Sequence, residues 1–152
     1  MTAHIRAATL ADTHAIAELL CNVDDYPQWK RRGVDALEPL VRKSLERNHL
    51  ERSVLVAELD SRVVGYAAVY WVNYLFNSPE GYVTELFVRT DASGRGVGTA
   101  LLEAVEQEAR VRACRRLTLI NLKDRESYKR GFYAARGWTE DPNAMRFVKS
   151  LE

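Results

Sequence analysis

The residues most suggestive of chemistry form a run of small residues in the second half of the chain. The run comprises Gly94, Arg95, Gly96, Val97, Gly98 and Thr99, with Ser93 directly before it. Alternating glycines lack Cβ atoms, so successive backbone N–H groups can turn toward one anion. A helical pattern begins directly afterwards, and the unpaired amides and dipole of a helix N-terminus add to the attraction. The run therefore predicts a diphosphate site, although a flexible turn that caps a helix has the same composition.

Two common phosphate-binding patterns are not completed by this run. A P-loop requires Lys and then Ser or Thr after its last glycine, whereas Gly98 is followed by Thr99 and Ala100. A dinucleotide-binding fingerprint requires glycine at position 99 and opens a first strand–helix–strand unit. Here the run follows three predicted strands in the middle of the chain. A nucleotide-binding protein is therefore a poorer interpretation.

The segment that contains the run resembles the acetyl-CoA motif of Gcn5-related N-acetyltransferases, usually written Q/R-x-x-G-x-G/A. Residues 86–102 read LFVRTDASGRGVGTALL, and the glycines of the motif align with Gly96 and Gly98. Ser93 stands where the family prefers Gln or Arg, and Arg95 could supply the missing contact to the phosphates. The backbone cradle does not depend on that side chain.

This resemblance implies a co-substrate, acetyl-CoA, and a set of residues that bind it. The backbone around Phe87 and Val88 would pair with the pantetheine arm as a strand does, and the Val88 amide is a candidate donor to the oxyanion. The implied coenzyme site therefore comprises Phe87, Val88, Ser93, Gly94, Arg95, Gly96, Val97, Gly98 and Thr99.

A second feature of the same superfamily lies downstream. Residues 132–138 read FYAARGW and resemble the family's F-Y-x-x-x-G-[F/W] helix end, while Glu126 stands where the family commonly has Asn. The two motifs occur in the family's order and at its usual distance, and the resemblance covers nearly the whole chain. It implies that Tyr133 is the general acid that protonates the departing thiolate. The alternative is that Tyr133 is a core aromatic of an amphipathic helix.

The candidate general base is Glu85, on the strand that leads into the glycine run. A carboxylate among Val83, Leu86 and Phe87 is unusual unless it faces a wet cleft, where it could take the proton from an amine directly or through water. The alternative is that Glu85 pairs with a nearby arginine or lies at a sheet edge. The predicted reaction is acetyl transfer to a primary amine by direct attack in a ternary complex.

The acceptor is less clearly indicated. Residues 65–70 and 82–88 are similar to the corresponding strands of diamine and polyamine N-acetyltransferases, which implies a polyamine, diamine or amino-acid-like small molecule. The tentative acceptor residues are Asp24, Asp25, Tyr26 and Glu80. Acetylation of a peptide or protein amine remains open, as does a non-catalytic module that only senses acyl-CoA.

The periodicity of the remaining chain predicts a mixed α/β fold. It indicates a mostly antiparallel central sheet with helices on both faces, in one domain over residues 1–152. The predicted strands are 5–8, 53–59, 63–74, 82–88, 117–120 and 147–148, with a tight turn at 60–61. The first predicted helix follows a capping box of Thr9 and Asp12. The other predicted helices are 34–48, the segment after Gly98, and 127–136, while 22–32 is predicted to be a loop.

Composition narrows the class of protein further. A net charge of +1 argues against nucleic acid as a partner, and two distant cysteines suit a reducing compartment. The longest apolar run, residues 66–72, is too short to span a membrane, and the first nine residues lack the apolar core of a signal peptide. A cytoplasmic location is therefore expected. His4, His14 and His49 are scattered, so no metal is predicted, whereas Trp71, Tyr74 and Phe76 suggest either a homodimer contact or part of the acceptor cleft.

Overall fold

The computed structural model describes residues 2–47 and 50–152. Its strands are β1 His4–Ala7, β2 Arg52–Leu59, β3 Arg62–Val72, β4 Glu80–Val88 and β5 Arg116–Leu119. Its α-helices are α1 Thr13–Asn22, α2 Pro27–Arg32, α3 Val34–Glu46, α4 Val97–Val111 and α5 Glu126–Lys129. Short 3₁₀ turns occupy Leu10–Asp12, Thr90–Ala92 and Ala134–Arg136.

The five strands form one sheet in the order β1-β2-β3-β4-β5. The first three pairings are antiparallel, and β5 joins β4 in parallel after the α4 crossover. The β2–β3 hairpin turns at Asp60 and Ser61, whose φ values of +50° and +63° are those of a two-residue turn that matches the right-handed twist of its strands. The predicted meander and tight turn are confirmed.

Helices cover both faces of the sheet, as predicted. On one face, Leu19 of α1 and Leu37 and Val41 of α3 belong to the same buried cluster as Val56 of β2. On the other face, α4 approaches β3 at Gly65, where a Cβ atom would lie 3.0 Å from the Val97 side chain. Because both faces of β3 are covered, its sequence reads as a continuous apolar run rather than an alternation.

The start of α1 is held by a charged cluster on β1 and β2. The Thr9 amide donates to Asp12 Oδ2 at 2.8 Å, which is half of the predicted capping box. Arg6 donates to both Asp12 oxygens at 2.8 Å and to Glu58 at 2.6 Å. The Arg6 hydrogen bond is the main reason that the pKa of the Asp12 carboxyl is lowered. This buried carboxylate therefore joins the sheet to the first helix.

Asp12→Asn is expected to destabilise the fold by about 1.5–3 kcal/mol at neutral pH, the usual worth of a hydrogen bond to a charged group. Because folding lowers the pKa of Asp12, its contribution is present above the unfolded pKa, about 3.8, and is lost as pH falls through the folded value. Urea unfolding at several pH values measures both effects. The variant should lose less stability than the wild type on acidification, and Asp24→Asn, an exposed carboxylate, is the control. Equal stability of Asp12→Asn and wild type at pH 7 would contradict this role.

Some sequence predictions were wrong. The segment 22–32, predicted as a loop, contains α2, because Pro27 supplies the preset φ of a first helical position. The helix predicted over 127–136 is divided, since Gly131 has a φ of +66°. Residues 147–148 form no strand, and both side chains are exposed. Trp71 is buried against the Gly81 backbone rather than exposed.

One further prediction is confirmed, and others concern residues that lie outside the described part of the chain. Gly137 ends the last 3₁₀ turn with a φ of +83°, as expected of a helix C-cap. The predicted end of the second helix at Asn48 and the histidine at 49 lie outside the described residues. The chain divides into two compact units, Met1–Ile120 and Asn121–Glu152, and the single domain over 1–152 stays a prediction.

Candidate active site

The β4 strand has an open edge next to β5. The two strands pair only between Glu80–Val83 and Arg116–Leu119, and in the described part of the chain no strand continues that ladder toward Val88. On the opposite edge, the Arg89 amide donates to the Val64 carbonyl at 2.8 Å. Backbone groups alternate in direction along a strand. A short stretch of β4 therefore offers its peptide groups to a ligand.

The same alternation identifies the residues that face outward. Since the Arg89 amide points to β3, the N–H and C=O groups of Val88 and Leu86 point to the open edge, and those of Phe87 point to β3. The Val88 amide is thus an outward-facing donor at this edge. Leu86 was missed from sequence, although counting alternate positions back from Val88 would have found it.

A β-bulge lies in β4 immediately before this stretch. Ala68 pairs with Glu85 while Val69 pairs with Val83, so that Thr84 is an extra residue. Its hydroxyl donates to the Ala68 carbonyl at 3.2 Å. The bulge reverses the alternation, because Val83 shares the α4 face of the sheet whereas Glu85 lies on the face of α1 and α3.

Glu85 has a buried phenol as its neighbour. The Tyr66 hydroxyl donates to Glu85 Oε1 at 3.1 Å, and Tyr66 is only 3% exposed. Burial, followed by the Glu85 charge, raises the pKa of Tyr66 well above its usual value, so this phenol remains a proton donor. The described residues include no arginine or lysine paired with Glu85, in contrast to the alternative considered from sequence.

Aromatic rings connect Glu85 to the loop between α1 and α2. The Phe87 ring lies 5.8 Å from that of Tyr66 and 5.6 Å from that of Tyr26, which meets it edge-on. Tyr26 and Glu85 are separate candidates in the sequence, and the structure brings them to one cluster. Tyr66 is not predictable as a site residue, because an aromatic in an apolar strand gives no signal of its hydroxyl's partner.

The glycine run forms an exposed loop between β4 and α4. Gly94 and Gly96 have φ values of +76° and +78°, and no atom lies within 4 Å of the position of a Cβ on either. The first bond of α4 runs from the Ala100 amide to the Gly96 carbonyl at 3.0 Å. The amides of Val97 and Gly98 precede that bond and have no acceptor within the described residues. A diphosphate fits these amides and the helix dipole.

Tyr133 lies in the second compact unit. Its half-buried ring meets Phe132 at 5.0 Å and Trp138 at 5.9 Å between centroids, both edge-on. The Trp138 amide donates to the Tyr133 carbonyl at 3.2 Å, and Gly137 provides the turn that this contact needs. The motif is therefore a locally packed aromatic corner.

The tentative acceptor carboxylates differ in availability. Asp24 and Asp25 are exposed near the start of α2, and Asp24 pairs with Lys30 at 3.0 Å. Glu80 is 3% exposed and binds Arg115 at 2.5 Å and Arg116 at 2.7 Å. The prediction that Glu80 lines an acceptor cleft is corrected, because two cations already neutralise its buried carboxylate.

Residues 2–47 and 50–152 lack two kinds of feature. They contain no group of three or more His, Cys, Asp or Glu side chains placed to hold a metal ion. They also contain no helix with the length and apolar composition that crossing a membrane demands.

The mixed sheet, the open β4 edge and the glycine loop together define an acyltransferase type of fold and site. The chain belongs to the acetyltransferase (GNAT) family, whose model matches residues 15–138. This family uses acetyl-CoA as its co-substrate. The predicted superfamily, fold class and enzyme class are thereby confirmed.

Three comparisons illustrate the range of similar proteins. The chain is 35% identical over 118 residues to aminoglycoside N(6')-acetyltransferase type 1 of Stenotrophomonas maltophilia, covering 74% of this chain and 71% of that protein. It is 28% identical over 151 residues to an uncharacterized N-acetyltransferase of Bacillus subtilis (strain 168), with 97% of each chain covered. The fold matches the crystal structure of ribosomal-protein-alanine N-acetyltransferase from Brucella melitensis biovar Abortus 2308, with a TM-score of 0.76, 21% identity and coverage of 98% and 99%.

Proposed function

We propose that this protein transfers an acetyl group from acetyl-CoA to the primary amine of a small molecule, with both substrates bound at once. The observation that carries the proposal is the glycine loop, where outward amides at the start of α4 adjoin the open edge of β4. Acetyl-CoA supplies an acetyl thioester. The nitrogen–carbon bond forms, the carbon–sulfur bond breaks, and one proton moves from nitrogen to the protein while another moves from the protein to sulfur.

The coenzyme would be held by backbone groups. The amides of Gly96, Val97 and Gly98 would bind the diphosphate, and the outward peptide groups of Leu86 and Val88 would bind the pantetheine amides. Because these contacts all come from the main chain, the loop can bind the coenzyme with Ser93 in place of the family's Gln or Arg. Arg95, which is exposed on the same loop, would add a positive charge.

Glu85 would act as the general base. A lysine-like amine has a pKa of about 10.4, so it is mostly protonated at neutral pH and must lose a proton before it attacks. The hydrogen bond from Tyr66 holds the Glu85 carboxylate in one orientation. The second Glu85 oxygen would receive the proton, directly or through a water molecule.

Tyr133 would be the general acid, an assignment that rests on its sequence motif. Tyr133→Phe is expected to lower kcat about 10-fold or more, because the departing thiolate then leaves without a proton donor. Steady-state rates of thiol release measure this effect. Tyr128→Phe is the matched control, since that phenol lies in the same unit and bonds to Glu140 instead. Equal losses in both variants, or none in Tyr133→Phe, would remove Tyr133 from the mechanism.

The class of amine is the finer part of the proposal. A polyamine, an amino-acid-like amine and an aminoglycoside are the three candidates, the last because of the relative from Stenotrophomonas maltophilia. Rates of thiol release with each class, and with a peptide N-terminus, distinguish them. A non-catalytic sensor would bind acetyl-CoA yet release no thiol above hydrolysis with any amine. A cytoplasmic location and a homodimer remain predictions.

A further inference from the structure

A cavity of about 450 Å³ lies between α3 and the strands β2 and β3. The side chains that line it are Leu40, Lys43, Ser44, Arg47, Arg52 and Tyr70. Three of these six residues are cationic and none is acidic. Such a lining attracts an anion and repels a polycation.

Within residues 2–47 and 50–152, no acidic side chain pairs with the cations of this cavity. Arg52 donates from Nη1 to the Ser44 carbonyl at 3.0 Å and lies over the Tyr70 ring at 5.6 Å, but its Nε is buried without a partner. Neither Lys43 nor Arg47 makes an ion pair in the described part of the chain. A buried donor without an acceptor costs free energy, and a bound anion would remove that cost.

The cavity opens on the same face of the sheet as Glu85. Arg52 pairs with Tyr70 across β2 and β3, and Ala68, two residues before Tyr70, pairs with Glu85. Two residues along a strand and two strand spacings across a sheet place the Arg52 and Glu85 backbones about 12 Å apart. Both side chains lie on this face of the sheet.

Electrostatic coupling supports this proximity. The Arg52 charge is among the influences on the Tyr66 phenol, whose pKa it lowers against the larger effects of burial and Glu85. Tyr66 is the hydrogen-bond donor to Glu85. Arg52 therefore lies near the phenol that holds Glu85.

We propose that the acceptor carries a terminal anionic group, a carboxylate or phosphate, which binds Lys43, Arg47 and Arg52 while its amine lies at Glu85. This inference rests on the proposed function and names the class of its acceptor. A molecule whose amine and anionic group are joined by several methylene groups suits the separation between Arg52 and Glu85. A polyamine or an aminoglycoside would place positive charge against the three cations and bind poorly.

A series of equal-length amines tests the inference. Aminohexanoate and an aminoalkyl phosphate of similar length present the anion, hexylamine presents a neutral end, and hexanediamine presents a second cation. The kcat/KM of the better anionic amine should exceed that of hexylamine by about 10-fold or more, the effect of one charge-assisted contact, and hexanediamine should be the poorest. The preferred anion distinguishes carboxylate from phosphate. Equal kcat/KM values across the series, or a preference for the diamine, would overturn the inference and leave acetyl transfer intact.

Charge reversal locates the anion site. Lys43→Glu should raise KM for the anionic amine about 10-fold or more, lower KM for hexanediamine and leave hexylamine unchanged. Arg42→Glu is the matched control, because Arg42 is exposed on the same helix and does not line the cavity. Equal effects of the two substitutions would contradict a site at the cavity.

Binding separates failure of this inference from failure of the proposed function. Calorimetry with the anionic amines in the presence of coenzyme A requires no turnover. Binding that is lost in Lys43→Glu, together with no thiol release from any amine, would support the anion site while contradicting acetyl transfer. Undetected binding of every anionic amine at millimolar concentration would contradict the anion site, whatever the transfer rates.

Discussion

Gly96→Val is expected to weaken acetyl-CoA binding by about 100-fold or more, which corresponds to about 2.7 kcal/mol. Valine is a rare outlier at a φ of +78°, and its side chain would fill the open space that the loop amides face. Both effects act on the diphosphate site. Calorimetric titration with acetyl-CoA measures the loss directly.

Gly33→Val is the control for backbone strain. Gly33 also has a positive φ, +84°, with no atom within 4 Å of a Cβ, but it lies between α2 and α3 rather than in the loop. It should lower the melting temperature without weakening coenzyme binding. Wild-type affinity in Gly96→Val, or equal loss of affinity in the two variants, would exclude the loop as the coenzyme cradle.

Glu85→Gln is expected to lower kcat/KM at pH 7 by about 100-fold or more, within the usual range for removal of a general base. Glutamine keeps the hydrogen bond from Tyr66 but cannot take a proton. The deficit should shrink as pH rises toward the amine's own pKa, about 10.4, because solution then provides the neutral amine. The pH profile of kcat/KM measures this convergence.

A folding defect in Glu85→Gln would lower kcat/KM without the convergence at high pH. Tyr66→Phe removes the hydrogen bond to Glu85 while the carboxylate remains, so it should cost less activity at pH 7 and keep the wild-type profile at higher pH. A pH-independent deficit in Glu85→Gln, or turnover equal to wild type at pH 7, would show that Glu85 is not the base.

The conformation of the glycine loop was predictable because its information is local. The glycines at 94 and 96 adopt the positive φ values that their lack of a side chain permits, and α4 begins at Val97, directly after them. The same is true of the hairpin at residues 60–61. In each case a few neighbouring residues suffice to specify the backbone.

The proposed amine side of the site was less predictable because its contacts join distant segments. Tyr66 and Glu85 meet across two strands, and the cationic cavity combines Lys43 of α3 with Arg52 of β2. Glu80 looked like an available carboxylate until the parallel pairing of β4 and β5 placed Arg116 beside it. The sequence shows which residues are charged, but it does not show which of them form ion pairs with each other.

The extra residue at Thr84 divides β4 into two stretches that are out of phase with each other. Deleting it would return Glu85 to the phase of Val83, and the carboxylate would then face the helix packed behind the sheet. The proposed role of Glu85 therefore depends on the spacing between Val83 and Glu85 as much as on the carboxylate itself. A chimera of this chain and a relative should therefore keep the number of residues in that segment. A crossover that gains or loses one position would exchange the two faces of the sheet to which the following side chains point.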